Sequence, residues 1–320
     1  QRVEILKVLL RQAKVIVLDE PTAVLTPQEV DELLATLRRL AAEGKTILLI
    51  THKLREVMAA SDRVTVMRAG QTVATLPTRS TTAEEIAHLM IGRGLDRPAR
   101  PPRRPPGEVV LEAKGLCARS GHGTDAIRGV DLTVHAGEIV GVAGIEGNGQ
   151  TELVEVVAGL RPASAGSVRL AGRELAGLSP RRRYEAGLAH VPADRHRRAI
   201  VLEFTVEENS ILGMQRTFVG RLGLRFREMA RHVRRIVESC DVRPTDPGIR
   251  TLLLSGGNQQ KVVIGRELSR RPKLLLAAHP TRGLDVGASE FVMRSLLAER
   301  ERGAGVLFVS AELPELLAVA

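Results

Sequence analysis

Near the start of the chain two short apolar runs, VIVLD at 15–19 and TILLIT at 46–51, flank a longer amphipathic stretch. Continuous apolar runs this short are the mark of buried parallel strands. Between them, TPQEVDELLATLRRLAAEG starts polar and stops at a Gly, which predicts a helix over 26–44. Residues 1–13 have helical apolar spacing, and another helix begins near Leu54. RVTVMRAGQTVATL reads as a hairpin turning at Ala69-Gly70, and TTAEEIAHLMIGR as a helix capped by a Thr with a Glu three residues on. Past residue 107 come three strands, EVVLEAKGLCAR, AIRGVDLTVHAGE and EIVGVAG, and then the helix QTELVEVVAGL. Residues 203–250 read as mainly helical. Strands alternating with helices predict an α/β fold whose parallel sheet holds ligands at its strand C-termini.

The pattern also repeats. Displaced by 259 positions, residues 1–61 align with 260–320 without a gap, about a quarter of positions being identical. VIVLDEPTAVLTPQE falls on LLLAAHPTRGLDVGA, and KTILLITHKLREVMAAS on AGVLFVSAELPELLAVA. The chain thus holds two copies of one unit. The second copy extends upstream to a strand near residue 108, a part the first lacks. The first continues into DRVTVMRAGQTVATL, which the second lacks. The expectation is the interior of a longer protein, cut at both ends. Between the copies, GRGLDRPARPPRRPPGE holds five prolines, which fit neither helix interior nor central strand. This predicts an extended linker over 95–107, between a first unit at 1–94 and a second at 108–320.

A chain of 320 residues has room for about two domains. Apolar residues make up 43% and aromatics only 2%, so the cores must be aliphatic. No apolar run approaches the roughly 20 residues of a membrane span, and no charged-then-apolar leader follows Gln1. Cys117 and Cys240 lie far apart without metal-like partners, as reduced thiols of a cytosolic protein would. The net charge of +10 gathers at 93–104, at 181–183 and in DRHRR at 194–198. Such a balance suits nucleic acid, anionic lipid, nucleotide phosphates or plain solvated surface.

Four stretches carry chemistry. GIEGNGQT, residues 144–151, lies between the strand IVGVAG and a helix. It matches the phosphate loop G-x-x-x-x-G-K-[ST] in Gly144, Gly149 and Thr151, with Gln150 in place of the Lys. Asp19 and Glu20 end an apolar strand, where two carboxylates are costly unless they bind something. One acid there can hold Mg²⁺, and its neighbour can take a proton from attacking water. His52 closes the next strand at the same edge, where an imidazole can sense a γ-phosphate. LSGGNQQ, 254–260, sets Ser-Gly-Gly before a helix, an anion site of exposed N–H groups.

Together these motifs resemble the ATP-binding cassette ATPases, and within them the tandem-cassette ATPases of bacterial importers for simple sugars and nucleosides. The resemblance covers essentially the whole chain. LSGGNQQK is similar to the signature motif, VIVLDEPT to Walker B, LLITH to the His switch, GIEGNGQT to Walker A and GLDVGA to the D-loop. DEPTAVLTPQE, EGNGQTELVE, DRHRRAIVLEFTVEEN and AAHPTRGLDVGA most resemble the nucleoside-type branch. The resemblance implies a P-loop NTPase fold: the C-terminal part of one cassette, then a second, nearly complete one with an antiparallel β portion and a helical subdomain over about 203–260.

It further implies ATP and Mg²⁺ as cofactors, with Glu20 and His52 catalytic and Asp19 holding the metal through water. The implied nucleotide-binding residues are Gly144, Glu146, Gly147, Asn148, Gly149, Gln150 and Thr151 in the loop, and Ser255, Gly256, Gly257, Asn258 and Gln259 in the signature. In this family each ATP lies between Walker A of one cassette and the signature of the other, so Asp19, Glu20 and His52 would face 255–259. The second copy departs from the pattern. Gln150 replaces the Lys, Ala278 and His279 the Walker B acids, Ala311 the switch His, and Ala193 the Gln or Glu after the middle strand. Residues 108–140 hold no aromatic to stack on adenine.

The implied protein has one hydrolytic site and one that binds nucleotide weakly or holds it without turnover. It is the ATPase of an importer, peripheral on the cytoplasmic face of the membrane. Its partners are transmembrane permease subunits and, indirectly, an extracytoplasmic solute-binding protein, with no nucleic acid. The chain alone is expected to turn ATP over poorly. Two rivals stand beside this reading: a soluble tandem cassette acting on ribosomes or nucleic acid, and an inactive fragment.

Overall fold

The computed structural model describes residues 13–22, 25–68, 70–92, 107–144, 147–221 and 223–320. Nearly all of the expected N-terminal helix over 1–13 and of the expected linker over 95–107 lies outside these residues. The chain divides into two compact units, broken between Asp96 and Arg97.

In the first unit, β1 (Val15–Asp19) pairs in parallel with β2 (Thr46–Ile50), Val15 opposite Thr46 and Asp19 opposite Ile50. The crossover is helix α1 (Pro27–Ala42). Thr26 caps it: its hydroxyl accepts from the Glu29 N–H while the Glu29 carboxylate accepts from the Thr26 N–H, so two otherwise orphan donors are satisfied. Leu33 and Leu37 of α1 bury against Ile16 and Leu18 of β1. Helix α2 (Leu54–Ala60), the antiparallel pair β3 (Arg63–Arg68) and β4 (Gln71–Pro77), and helix α3 (Ala83–Ile91), capped by Thr82, complete the unit.

The second unit opens with β5 (Val109–Arg119), β6 (Asp125–His135) and β7 (Ile139–Ala143), then helix α4 (Gln150–Ala158). After β8 (Ala165–Leu170), β9 (Arg173–Glu174) and α5 (Pro180–Glu185) come β10 (Leu188–Val191) and the single turn α6 (Arg195–Arg198). Helix α7 (Val206–Ser210), a short ribbon of β11 (Val219–Gly220) and β12 (Gly223–Leu224), and α8 (Phe226–Ser239) lead to α9 (Gly256–Ser269). The chain closes with β13 (Leu274–Ala278), α10 (Val286–Glu301), β14 (Gly305–Ser310) and α11 (Leu313–Val319). Strands β6-β5-β8-β9 form an antiparallel sheet, and β10-β13-β14-β7 a parallel one. One face of the parallel sheet packs with α4 and the antiparallel sheet, the other with α9, α10 and α11. The 203–250 stretch is less helical than its pattern suggested. Pro244, Pro247 and Gly248 keep 241–250 out of helix, and Gly213 and Gly223 adopt left-handed turns that interrupt the rest.

The repeat is structural as well as sequential. Shifted by 259, β1, α1 and α2 coincide in bounds with β13, α10 and α11, and β1 pairs with β2 in the register of β13 with β14. Leu33 and Leu37 correspond to Val292 and Leu296, buried on the equivalent face. The two copies differ on the opposite face. In the second unit Leu274, Leu276, Leu307 and Val309 are at most 1% exposed, except none of their counterparts is covered: Val15, Val17, Leu48 and Ile50 are 47–59% exposed. The expectation of strands buried on both faces therefore holds for β13 and β14 but not for β1 and β2. An apolar run signals that a strand can be covered twice; which faces are covered depends on what packs there.

Leu48 and Leu307 provide a matched test. Leu307→Ala is expected to cost about 2–5 kcal/mol of unfolding free energy through lost burial and a cavity. Leu48→Ala is expected to cost less than about 0.5 kcal/mol. Urea unfolding of the two variants checks the difference.

Candidate functional site

Strand β7 runs directly into the glycine loop. Gly147 and Gly149 hold φ of 96° and 97°, a region that side chains disfavour, and a Cβ at Gly149 would also meet the Ala126 carbonyl oxygen at 2.5 Å. Gly149 is the N-cap of α4, so the loop delivers the chain into a helix N-terminus. The Gln150 carboxamide folds back over Gly144, where a Cβ would collide with its Nε2. Thr151 is exposed in the first turn of α4, and Asn148 is exposed in the loop. Glu146 lies outside the described residues.

A cavity of about 540 Å³ opens beside this loop. Its walls include Gln150, Thr151 and Glu155 of α4, His190 of β10, residues 192–198, Ala278, His279 and Arg282. The replaced positions Gln150, Ala193, Ala278 and His279 thus share one cavity, as their grouping in sequence suggested; Ala311 is exposed beyond β14 and is not part of its wall. Glu155 is buried, which would raise its carboxyl. Hydrogen bonds from Arg161 (2.8 Å) and Arg198 (2.6 Å) outweigh that and hold it below the usual range. His190 has no such rescue. Burial pushes its imidazole down to about 4, Arg198 adds to the depression, and Glu155 offsets only part of it. Its Nε2 is buried without a hydrogen-bond partner. Arg195 Nε is likewise buried and unpartnered, while Arg195 Nη1 donates to the Arg282 carbonyl at 3.3 Å.

On the far side of Arg195 lies the first turn of α9. A Cβ at Gly256 would stand 2.7 Å from Arg195 Nη2. Ser255 caps the helix, accepting from Asn258 N at 3.4 Å and Asn258 Nδ2 at 3.0 Å. Two residues expected to contact nucleotide are turned to other work. Asn258 Oδ1 accepts from Arg243 N at 2.8 Å. Gln259 is buried; its Nε2 donates to the Thr251 and Leu254 carbonyls at 3.2 Å, and its Oε1 accepts from His196 Nε2 at 2.8 Å. A side chain with its whole amide committed inside the protein positions the loop instead of presenting a donor to a ligand. Ser255, Gly256 and Gly257 remain at the helix start.

In the first unit Asp19, Glu20 and His52 come together at the C-terminal edge of β1 and β2. Glu20 sits at φ 42° and its N–H donates to Ile50 O at 2.9 Å. His52 Nδ1 donates to Glu20 Oε1 at 2.7 Å, and the Asp19 carboxylate is exposed beside them. Behind this edge the buried Glu56 accepts from Thr22 Oγ1 at 2.5 Å and Thr51 Oγ1 at 2.9 Å. The second unit reproduces the frame. His279 sits at φ 43° and its backbone N–H donates to Val309 O at 2.7 Å; Glu315 accepts from the Thr281 and Ser310 hydroxyls at 2.8 and 3.0 Å. At the edge itself the side chains differ: Asp19, Glu20 and His52 correspond to Ala278, His279 and Ala311. Among the described residues no three His, Cys, Asp or Glu side chains could hold a metal unaided.

A glycine loop feeding a helix N-terminus at the C-terminal edge of a parallel sheet defines the P-loop class of nucleotide-binding folds. Comparison with known proteins narrows the class. The family model for ABC transporters matches residues 127–282. The nucleoside import ATP-binding protein NupA of Lactococcus lactis subsp. cremoris (strain MG1363) is 45% identical over 100% of the chain. The guanosine import ATP-binding protein NupO of Bacillus subtilis (strain 168) is 46% identical over 99%. The chain spans 63% and 62% of the lengths of these two relatives. A nucleotide-free ATP-binding cassette from an ABC transporter, 23% identical, shares the fold with a TM-score of 0.56 over 65% of this chain and 84% of its own. Residues 127–282 are thus those of an ABC transporter family domain, and the chain as a whole is similar to import ATP-binding proteins. No helix of the described residues is long and apolar enough to cross a membrane.

Sequence reading missed His190 and the roles of Arg195 and His196. A signal existed for the first: one polar residue inside the otherwise apolar LAHV strand, all of it buried. His190 generates a pH prediction. Its folded value of about 4 lies below the roughly 6.5 of an unfolded chain. Between those values the unfolded chain binds a proton that the folded chain excludes. Stability is therefore complete above about pH 6.5 and falls as the pH drops toward 4, by on the order of 2–3 kcal/mol. Urea unfolding across this window should show the slope reduced by that amount in His190→Leu relative to the parent.

Proposed function

We propose that these residues belong to the ATP-binding and ATP-hydrolysing subunit of an importer for nucleosides or simple sugars, built from two cassettes of unequal chemistry. The first cassette contributes its C-terminal part over 1–94; a linker at 95–107 leads to the second at 108–320, whose helical subdomain spans about 203–260. One observation carries the reading. Two copies of a single backbone frame, matched down to the Thr–Glu hydrogen bonds behind the sheet edge, present Asp19, Glu20 and His52 in one case and Ala278, His279 and Ala311 in the other. The same frame with and without its acids is what a hydrolytic site paired with a degenerate one requires.

In the competent copy Glu20 is the group that accepts a proton from attacking water. His52, 2.7 Å away, orients its carboxylate and is placed to meet the transferring phosphoryl group. Asp19 and Glu20 fit Mg²⁺, which takes hard oxygens from one or two carboxylates and fills its shell with water and phosphate. When bound, the ion offsets charge on the phosphoryl oxygens; Asp19 is the residue that would hold it through water. In the degenerate copy, the loop at 144–151 retains its backbone cradle through Gly144, Gly147 and Gly149, with Asn148, Gln150 and Thr151 beside it, but lacks an ammonium group.

Import of nucleosides or sugars is supported by the similarity to nucleoside and guanosine import ATP-binding proteins and by the motifs of the sequence. On this reading the partners are transmembrane permease subunits, an extracytoplasmic solute-binding protein acts upstream of them, and the assembly places this subunit on the cytoplasmic face of the membrane. In the assembled transporter Glu20→Gln is expected to lower ATP turnover by about 10²-fold or more while retaining ATP binding. Gln150→Ala is expected to change turnover less than about threefold. Steady-state phosphate release and equilibrium ATP binding measure both, and comparable losses from the two substitutions would overturn the asymmetry.

A further inference from the structure

We propose that the cavity of the second unit binds a polyphosphate anion without a divalent cation. Arginines of the 194–198 segment and Arg282 meet its charge, and His190 makes a hydrogen bond to it. The proposal rests on reading this cavity as a nucleotide site and specifies how that site works.

The donor set argues against a metal. Mg²⁺ needs hard oxygen ligands, and the wall position that follows the strand carries Ala278 and then an imidazole, His279. The two carboxylates of the wall are already committed. Glu155 is spanned by Arg161 and Arg198, at 2.7 and 2.6 Å. Asp194 caps α6, accepting from Arg197 N at 3.0 Å. The hard donors left on the loop side, the Thr151 hydroxyl and the Gln150 carboxamide oxygen, are both uncharged.

The charge that a metal would have supplied is present in another form. Arg195, Arg197, Arg198 and Arg282 line the same cavity. A guanidinium is planar, permanently charged and matched to phosphate oxygens, so it recognises a phosphate directly. Arg195 presents a buried Nε with no partner, and Arg197 lines the cavity with an exposed side chain. A desolvated guanidinium edge with nothing to donate to is a costly arrangement in an empty protein.

His190 is the second, independent mark of a ligand. It is 7% exposed, lines the cavity, and its Nε2 is buried without a partner. Burial holds the ring neutral, so its unpaired nitrogen offers a hydrogen bond without adding charge. Both orphaned groups border one space, and a single multivalent acceptor placed there satisfies them together. Gln150 contributes amide N–H groups at the loop mouth where an ammonium would stand in the unaltered motif.

Titration of the purified chain with ATP by calorimetry, once in excess Mg²⁺ and once in excess EDTA, tests the proposal. The expected dissociation constants agree within about threefold, and inorganic tripolyphosphate displaces ATP while adenosine does not. Arg195→Gln/Arg197→Gln is expected to weaken binding in EDTA by about tenfold or more. If the double variant fails to fold, Arg197→Gln alone, at an exposed side chain, gives the same direction. His190→Leu is expected to weaken binding while leaving the ligand-free melting temperature unchanged or higher, because it removes an unsatisfied buried group. A lower melting temperature with unchanged binding would make His190 structural and overturn its role. Binding that vanishes in EDTA but persists in Mg²⁺ overturns the proposal and leaves the nucleotide reading standing. Absence of binding in both conditions overturns the nucleotide reading itself. Binding in EDTA that ignores the arginine substitutions overturns the assigned source of charge.

Discussion

One backbone hydrogen bond organises both copies of the repeat. The residue after the central strand donates its N–H to a carbonyl of the adjacent parallel strand, Glu20 to Ile50 and His279 to Val309. The bond requires the chain to turn through positive φ at a residue with a side chain, a conformation that costs on the order of 1–3 kcal/mol. The turn persists because the next layer over-determines it. A glutamate, the buried Glu56 or the half-buried Glu315, ties the strand that follows to the loop through two hydroxyl hydrogen bonds. The result is a rigid sheet edge at which whatever side chain occupies the turn is held in a fixed place. The two copies carry different side chains at that place on the same backbone.

The two units show both outcomes. In the first, a carboxylate in the turn meets an imidazole from the next strand end at 2.7 Å, an acid–base pair on a rigid support. In the second, the turn holds His279 and the strand ends in alanine, yet the surrounding cavity is not inert. Its positive charge comes from the DRHRR segment, whose Arg195 borders the cavity on one side and the first turn of α9 on the other. His196 continues that link by donating to the buried Gln259. The segment thus lies between the cavity and the first turn of α9.

Much of this was legible in the residues. The 259-residue offset located the second copies of β1, α1 and α2 to the residue, because both copies must solve the same packing problem with the same spacing of aliphatic side chains. The glycine loop was readable because left-handed backbone at positions 147 and 149 is compatible with few residues other than glycine. The exposed face of β1 and β2 is the one that α4 and the antiparallel sheet cover in the second copy, and Val15 and Leu48 by themselves look as apolar as Leu274 and Leu307. The inward turn of Gln259 was not readable, since its type and place in the motif fit a ligand contact equally well.

Sequence by itself determined the element order, the repeat, the loop and the grouping of substituted positions, since each follows from local periodicity or from a backbone conformation that a few residue types allow. Tertiary structure alone decided which apolar faces are covered, where each amide spends its hydrogen bonds, and that His190 and Arg195 border one cavity with unsatisfied nitrogens. Those properties arise from contacts between segments far apart in the chain: Gln259 with His196, Arg198 with Glu155. No local pattern encodes them, because burial and hydrogen bonding are settled by neighbours that only the folded chain brings together.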